Sequence, residues 1–279
     1  MKPTVRKYQQ QLKDLGYDPG PIDGLLGTKT RRAISAFQRD QGLYVDGIVG
    51  PKTQSRLDLV SGRLGGHYLD RNAFAQWAPA ALPGTVEALE AAIDAYPALA
   101  NPKVLDDWLG QMWVESKGFS TLVENLNYSV EGLRATFGRH RISDGECQLY
   151  GRIDKTVGGK KAVVRAADQR AIANIVYGGE WGRINLGNIL PNDGWDYRGS
   201  GFKQITGRRN TEASGFTAEE LRTDVKKAAL AAAKFFVDAG CVAPALIGNI
   251  TAVTKKVNGG TNGLAERAAK TASAQRVIL

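Results

Sequence analysis

The sequence predicts a mainly α-helical protein in which a small three-helix module is joined to a larger α-rich domain. Three observations support this prediction. The first sixty residues contain a repeat that pairs a tight turn with a helix, apolar residues farther along recur at spacings of three and four, and strands do not alternate with helices. The chain has 279 residues, of which 43% are hydrophobic and 23% charged, so it has material for one or two buried cores.

The composition excludes several classes of protein. No apolar run approaches the roughly 18 residues of a membrane helix, so we expect no membrane insertion. Two cysteines cannot form a disulfide scaffold, and two histidines are few for a metal site, so we expect reduced thiols, no metal and no cofactor. The net charge of +9 favours an anionic partner. Because no helix-turn-helix, zinc-finger or aromatic RNA-binding signature accompanies that charge, we expect no nucleic-acid partner.

The repeat has an offset of 23 residues: residues 23–30 (DGLLGTKT) return as residues 46–53 (DGIVGPKT). In each copy the Asp-Gly pair predicts a tight turn that leads into a helix, and Pro51 suits a first helical position. A further helix is predicted upstream from apolar residues at helical spacing, namely Val5, Tyr8, Leu12 and Leu15. The sequence therefore predicts a three-helix domain over residues 1–60.

This module closely resembles the peptidoglycan-binding domain type 1 family. The resemblance rests on four stretches in the family's order, residues 11–17, 20–24, 36–38 and 45–53. It implies a non-catalytic domain that docks on cell-wall glycan or its peptide stems, so we expect bacterial peptidoglycan as the partner. The alternative is that the repeat only stabilises a small helical bundle.

Binding residues of the module are harder to assign. Tyr17, Tyr44 and Asp46 are candidates for a binding groove, and each is equally compatible with packing or with capping a turn. Over residues 1–60 the chain has 10 basic and 6 acidic residues, a net charge of +4 that would help the module approach an anionic wall.

Beyond the module, residues 61–75 are predicted as a glycine-rich linker and residues 76–279 as the second domain. Apolar residues at helical spacing predict helices that include residues 86–93 and 104–112. Later helices are predicted around four ranges, 167–178, 218–239, 249–257 and 263–277. Residues 141–168 are predicted to be a variable surface insertion, formed as an exposed loop or hairpin.

Two carboxylates, Glu115 and Glu124, stand out in the second domain. On one continuous helix their nine-residue separation would place them on opposite sides, but Gly118 favours a chain reversal that brings both to one cleft. Glycoside hydrolysis uses such a pair, one protonated acid and one carboxylate. We expect Trp113, Val114 and Phe119 to give Glu115 apolar surroundings that keep it protonated. The spacing alone is also compatible with a solvated surface pair.

The residues around these acids resemble the catalytic stretch of glycoside hydrolase family 19, the plant-type chitinases and related phage endolysins. The resemblance begins with residues 115–116 and 124–133, and continues in family order with residues 173–177, 193–210 and 257–260. It implies a lysozyme-like fold and inversion at the anomeric carbon by direct addition of water. On this resemblance Glu115 matches the general acid and Glu124 the general base.

The same resemblance implies roles for residues that line the sugar cleft. Gln204, Thr206 and Asn210 match cleft positions, Thr206 also helping to place the water, and Asn258 matches a residue that holds the base side. Tyr128 and Tyr197 are candidates for stacking on sugar rings, or for simple packing. Glycines allow close approach of backbone, so the Gly199-Ser200-Gly201 segment is expected to contact a sugar ring or its N-acetyl group.

In the plant enzymes the second carboxylate lies farther along the chain, so the nine-residue gap resembles the phage-lysin branch. We therefore expect a monomeric muramidase-like endolysin that cleaves β-1,4 bonds of peptidoglycan. Because residues 1–11 lack an apolar signal segment, we expect synthesis in the host cytoplasm and action at the periplasmic wall after release through a holin pore.

The alternatives are a chitinase that acts on N-acetylglucosamine polymers, a zinc amidase and a non-enzymatic wall-binding protein. His67, His140 and Cys147 are the obvious soft ligands for zinc, and no HExxH spacing exists. A non-enzymatic protein would show no lytic activity in its second domain.

Overall fold

The structure of the protein, a computed structural model, describes residues 5–61 and 68–279. It is mainly helical with a small two-stranded sheet, which confirms the predicted fold class. The N-terminal module consists of three helices, α1 (Val5–Asp14), α2 (Thr28–Asp40) and α3 (Pro51–Ser61). Ile34 and Leu57, which are equivalent in the repeat, are both fully buried in its core.

The two copies of the repeat form the same hydrogen-bond network. Gln9 donates to the Asp23 carboxylate, the Leu25 carbonyl and the Thr30 hydroxyl. In the second copy Gln38 donates to the corresponding groups of residues 46, 48 and 53. Each glutamine also accepts from the backbone N–H of a turn glycine that has positive φ. Each copy of the repeat is therefore the same turn, and in each copy one glutamine of the preceding helix forms hydrogen bonds with the polar groups of that turn.

The second domain is built from helices separated by short loops. None of the helices in the described ranges is long and apolar enough to span a bilayer. The first of its helices are α4 (Arg71–Trp77), α5 (Thr85–Ala95), α6 (Pro102–Glu115), α7 (Val130–Thr136) and α8 (Asp144–Tyr150), with a 3-10 turn at Pro97–Ala100. After the hairpin of β1 (Ile153–Val157) and β2 (Lys160–Arg165) come α9 (Gln169–Val176), α10 (Gly179–Leu186), α11 (Asp193–Asp196), α12 (Arg208–Ser214) and α13 (Ala218–Thr223). The last are α14 (Val225–Asp238), α15 (Val242–Leu246), α16 (Ile250–Asn258) and α17 (Leu264–Ala274), followed by a 3-10 turn at Gln275–Val277.

Residues 68–75, assigned above to the linker, pack against the second domain. Tyr68 and Leu69 are buried, their backbone N–H groups donate to the Glu90 carboxylate, and Leu69 forms a β-bridge with Ile278. Asp70 caps α4 by accepting from the Ala73 N–H. The rest of the predicted linker, including the zinc candidate His67, lies in residues 62–67, outside the described residues.

Two further regions differ in detail from the prediction. The helix predicted over 218–239 is two helices, because the Asp224 side chain accepts from two backbone N–H groups and starts α14 there. The insertion predicted at 141–168 contains α8 and the β1–β2 hairpin. Its first part is not wholly exposed, since Ile142 and Cys147 are buried in a core cluster with Leu133.

Helices α6 and α17 form the contact on which the candidate site is built. A Cβ atom at Gly110 of α6 would lie only 2.5 Å from the Thr271 backbone nitrogen of α17, so the two backbones touch there. Side chains pair on both sides of this crossing: Arg267 with Gln111 and Glu115, Thr271 with Asp107, and Gln275 with Asp106. Arg267 and Thr271 of α17 and Gln275, just beyond its end, recur every four residues, so they lie on one side of the chain.

Candidate active site

Glu115 is the last residue of α6, and two cations face its side chain. Arg267 donates to Glu115 Oε1 at 2.7 Å, and Lys203 Nζ lies 3.6 Å from Oε2. The Glu115 and Lys203 side chains are each 11% exposed. Burial lowers the pKa of Lys203, an effect that the nearby Glu115 carboxylate opposes. Glu115 is therefore a carboxyl group held in a nearly closed, cationic corner.

Two of the three residues expected to give Glu115 apolar surroundings pack against other aromatic rings. Trp113 packs against Trp77, and Phe119 packs edge-on against Phe202. The reason is helix geometry, because two residues along a helix rotate the side-chain direction by about 200°, so Trp113 points away from Glu115.

Directly after α6 the chain reverses through three consecutive residues with positive φ: Lys117, Gly118 and Phe119. The Gly118 N–H donates to the Trp113 carbonyl, and the Phe119 N–H to the Ser116 hydroxyl. Positive φ is costly for Lys and Phe, so surrounding contacts must hold this turn. The reversal returns the chain toward α6 and brings Glu124 back beside Glu115.

Glu124 is fixed by two hydrogen bonds from distant parts of the chain. The Tyr177 hydroxyl donates to Oε1 at 2.6 Å, and the Gly199 N–H donates to Oε2 at 2.9 Å. The Glu124 N–H also donates to the Gly199 carbonyl. Burial raises the pKa of Tyr177 well above its ordinary value, and the Glu124 carboxylate adds to the effect. Tyr177 therefore stays a neutral donor to Glu124.

Gly199 approaches Glu124 itself. A Cβ atom at Gly199 would lie 3.0 Å from Glu124 Cβ and 3.1 Å from Oε2. The sequence analysis assigned the close approach at residues 199–201 to a sugar. At Gly199 the backbone instead packs against the carboxylate that a sugar would meet.

Both glutamates line one open cleft of about 290 Å³, which Lys117, Asn125 and Tyr128 also line. The return loop therefore places the two acids on one surface cleft. Gln204 lines this cleft too, and it has a positive φ of 53°. Left-handed backbone at a non-glycine residue in a cleft is a form of strain that recurs at functional sites.

A second cavity of about 510 Å³ adjoins the first across Gln204, which lines both. Thr206 and Asn210, the other predicted cleft residues, line this second cavity together with Lys203. The Thr206 hydroxyl donates to the Gln204 carbonyl at 3.1 Å, and Asn210 Nδ2 donates to the Thr206 carbonyl at 2.8 Å. These bonds leave side-chain acceptor oxygens on both residues.

Asn258 lies on the acid side of the site. Its side-chain amide donates to the Asn262 carbonyl, the same carbonyl that accepts from Arg267 Nε. Arg267 in turn donates to Glu115, the candidate acid. Asn258 is therefore linked to the acid, whereas the resemblance implied a contact on the side of Glu124, the candidate base.

The two predicted stacking residues occupy different positions. Tyr128 lines the cleft and packs edge-on against Phe137, and burial, followed by the nearby Glu124 charge, raises its pKa. Tyr197 packs against the Arg208 guanidinium, 4.6 Å from its ring centre, and lines neither cavity. Packing is therefore the contact that Tyr197 makes in this structure.

The module candidates also differ from one another. Asp46 caps its turn by accepting from the Ile48 N–H, and Tyr17 packs edge-on against Phe37 while its hydroxyl donates to Asp40. Tyr44 is 85% exposed. Of the three, Tyr44 alone presents a free aromatic ring.

Sequence reasoning missed Arg267, Lys203 and Tyr177 as parts of the site, and it expected Gly199 to contact a sugar and not Glu124. Lys203, Tyr177 and Gly199 fall within stretches that carried the family resemblance, but only the fold brings them to the glutamates. Arg267 is 4% exposed, and a buried arginine needs a partner, but that burial is seen only in the structure and not in the sequence. Within the described ranges, no group of three or more His, Cys, Asp or Glu residues could hold a metal ion.

Comparisons with known proteins agree with a modular chain. Residues 2–57 match the family model described as a putative peptidoglycan binding domain. The chain is 29% identical over 195 residues to a glycosyl hydrolase family 19 domain-containing protein of Haemophilus influenzae, covering 68% of this chain and 86% of that protein.

Shorter similarities extend to proteins of other kinds. The chain is 42% identical over 62 residues to the N-acetylmuramoyl-L-alanine amidase CwlM of Mycobacterium tuberculosis, and 47% identical over 53 residues to the localization factor PodJL of Caulobacter vibrioides. These matches cover 22% and 19% of this chain, but only 15% and 5% of the two relatives. The protein thus has an N-terminal module that matches a putative peptidoglycan binding domain, and it also resembles a family 19 glycosyl hydrolase domain protein.

Proposed function

We propose that the protein is a cell-wall lysin that hydrolyses β-1,4 glycosidic bonds of bacterial peptidoglycan, with Glu115 as general acid and Glu124 as general base. The observation that carries the proposal is that both glutamates line one cleft, each held by a different set of partners. Two carboxyl groups that line one cleft are what the hydrolysis of a glycosidic bond uses.

On the acid side, we assign the delivery of the proton to Oε2 of Glu115. Oε1 is occupied by Arg267 at 2.7 Å, whereas Lys203 stands 3.6 Å from Oε2, beyond ordinary hydrogen-bond distance. As the proton moves to the glycosidic oxygen, negative charge develops on Glu115. The two cations stabilise that charge at the moment it forms, which lowers the barrier.

On the base side, Glu124 accepts one hydrogen bond at each oxygen, from Tyr177 and Gly199. These donors hold the carboxylate in one orientation as it takes a proton from the attacking water. Gln204 lines the cleft that holds Glu124, and Thr206 lines the cavity beside it; we propose that Thr206 helps to place that water. The water attacks the anomeric carbon directly, so the configuration inverts.

The N-terminal module supports a cell-wall substrate over chitin, which is the second candidate substrate. A tethered module raises the local concentration of glycan at the catalytic cleft without adding a catalytic group.

We also propose that the protein acts as a monomeric phage endolysin, made in a bacterial cytoplasm and active at the periplasmic wall after holin release. Expression in Escherichia coli tests this setting: lysis should begin only when the inner membrane is permeabilised, and lysis without permeabilisation contradicts it.

The Glu115→Gln variant tests the acid role. We expect lysis of purified sacculi to fall at least about 1,000-fold while sedimentation with sacculi is unchanged, because the amide cannot donate the catalytic proton. Glu131→Gln, at an exposed carboxylate of α7, is the matched control and should lyse normally. Comparable lysis by the Glu115→Gln variant and the wild type would remove Glu115 from the acid role.

Mass spectrometry and proton NMR of the wild-type products test the bond and the stereochemistry. We expect hydrolysed N-acetylmuramic acid reducing ends, which appear first as the α-anomer. Anhydro-sugar ends would indicate a lytic transglycosylase, an initial β-anomer would indicate retention, and preferential release from chitin oligomers would favour the chitinase.

A further inference from the structure

The 510 Å³ cavity beside the catalytic cleft has two walls of opposite character. One wall carries Gln204, Thr206 and Asn210, whose side-chain oxygens can accept hydrogen bonds. The other is a stripe of helix α14 and its end, Ala231, Phe235 and Ala239, which recur every four residues and so share one face. The hydroxyl groups at the edge of a sugar ring would find no partner on this second wall. One face of the Phe235 ring, where a sugar face could stack, is already taken by Lys203, whose Nζ lies 4.6 Å from the ring centre.

The cavity, at about 510 Å³, is also larger than the space that the N-acetyl methyl group of a sugar would fill. Volumes of roughly 300 to 1,000 Å³ are typical of sites that enclose a whole small ligand. Two of the three residues of the stripe are alanines, whose short side chains take up little of this space.

The charged residues that line the cavity are Lys203, Lys234 and Asp238, which leave a net charge of +1. Lys234 pairs with Asp238 at the rim, and Lys203 is the nearly buried cation that faces Glu115. Lys203 Nζ has three N–H donors and lies 3.6 Å from Glu115, so it can also donate to one carboxylate of a ligand whose methyl groups lie against the apolar wall.

We propose that this cavity binds the start of the peptide stem, the lactyl-alanyl-glutamyl segment attached to N-acetylmuramic acid, while the sugar itself lies along the polar wall. The inference rests on the proposed function and deepens it, because it makes the stem a determinant of which glycan is cut. The lactyl and alanyl methyl groups lie against Phe235 and the alanine stripe, and the glutamyl carboxylate lies toward the lysines.

Ala239→Leu tests the proposal by narrowing the cavity from its apolar wall. The readout is the ratio of turnover on intact peptidoglycan to turnover on glycan strands stripped of stems by an amidase. We expect this ratio to fall at least 10-fold. Ala213→Leu narrows the cavity from the exposed side of α12 and should act in the same direction, which guards against a folding defect in the first variant. Ala135→Leu, on an exposed site of α7, is the matched control.

An equal loss on both substrates would make the cavity a sugar subsite and overturn the proposal. An unchanged ratio in both cavity variants would overturn it too.

A binding titration distinguishes failure of the stem site from failure of the proposed function. Full-length protein carrying Glu115→Gln should bind muramyl dipeptide at least 10-fold more tightly than N-acetylmuramic acid, and adding Ala239→Leu should abolish the difference. Equal affinity for the two probes overturns the stem site even if the wild type is an active hydrolase, whereas selective binding by an enzyme that cleaves neither glycan contradicts only the proposed function.

Discussion

Gly199 contacts Glu124 through its backbone N–H, its carbonyl and the space where a side chain would begin. Its backbone φ is not in the left-handed region, so glycine is not needed there for conformational reasons. What requires glycine is the proximity of two side chains, since an added Cβ would lie 2.9 Å from Gln204 Oε1 and 3.0 Å from Glu124 Cβ. The absence of a side chain at Gly199 therefore allows Glu124, the proposed base, to occupy its position.

Replacing Gly199 with alanine tests this argument. The added Cβ meets Glu124 at about 3 Å, so the carboxylate must shift by a few tenths of an ångström or more. We expect kcat on solubilised peptidoglycan to fall about 100-fold, since small misplacements of reacting groups are costly. Gly145→Ala, where nothing lies within 4 Å of the new Cβ, is the control. Normal kcat in the Gly199 variant would show that the Glu124 position tolerates this contact.

At the scale of elements, the crossing of α6 and α17 connects stability with the site. The same pair of helices that aligns Arg267 with Glu115 also buries Asp106 and Asp107. Burial, and then the neighbouring Asp106 charge, raises the pKa of Asp107 to about 7. Asp107 receives one hydrogen bond, from the Thr271 hydroxyl at 3.3 Å, which is too little to offset that burial.

The Asp107→Asn variant is predicted to change the pH dependence of stability. Because the folded pKa lies above the unfolded value, folding keeps the proton that the unfolded chain releases, so the free energy of unfolding falls as pH rises from about 4 to about 7. This loss amounts to roughly 1 kcal/mol per pH unit, and it is complete above pH 7. Asparagine keeps the acceptor oxygen for Thr271 without a charge, so urea melts should lose this slope and the variant should gain stability near pH 8.

Asp196→Asn, at an exposed position, serves as the control and should leave the slope unchanged. A wild-type slope retained in the Asp107→Asn variant would assign the dependence to other groups.

At the scale of the whole molecule, the module and the second domain have separable tasks. The module carries +4 of the net charge of +9 and exposes 85% of Tyr44. The second domain carries both glutamates and both cavities. Binding to an insoluble wall and turnover of a soluble fragment should therefore depend on different residues.

Tyr44→Ala in the full chain is predicted to weaken binding to sacculi about 5-fold to 10-fold, because an exposed aromatic ring contributes of the order of 1 kcal/mol to a contact. Turnover of soluble glycan fragments should not change. The control is Ile247→Ala, an apolar side chain that is 78% exposed on the second domain. Equal loss of sacculus binding in both variants would mean that Tyr44 has no special part in it.

Local patterns in the sequence were sufficient to predict most of the elements. The 23-residue repeat predicted the turns and buried positions of the module, including Ile34 and Leu57, and apolar spacing predicted α5 and α6. Gly118 predicted the chain reversal between the two glutamates. Each of these features depends on residues close together in the chain, so the sequence pattern carries it directly.

The partners of the two glutamates were decided only by the tertiary structure. Arg267 is 152 residues from Glu115, and Tyr177 and Gly199 are 53 and 75 residues from Glu124. The apolar setting expected for Glu115 from its neighbours in the chain was wrong, because α17 and the segment that carries Lys203 supply cations there instead. Spacing along one helix predicts which residues share a face, but which face another helix covers depends on the packing of the whole chain.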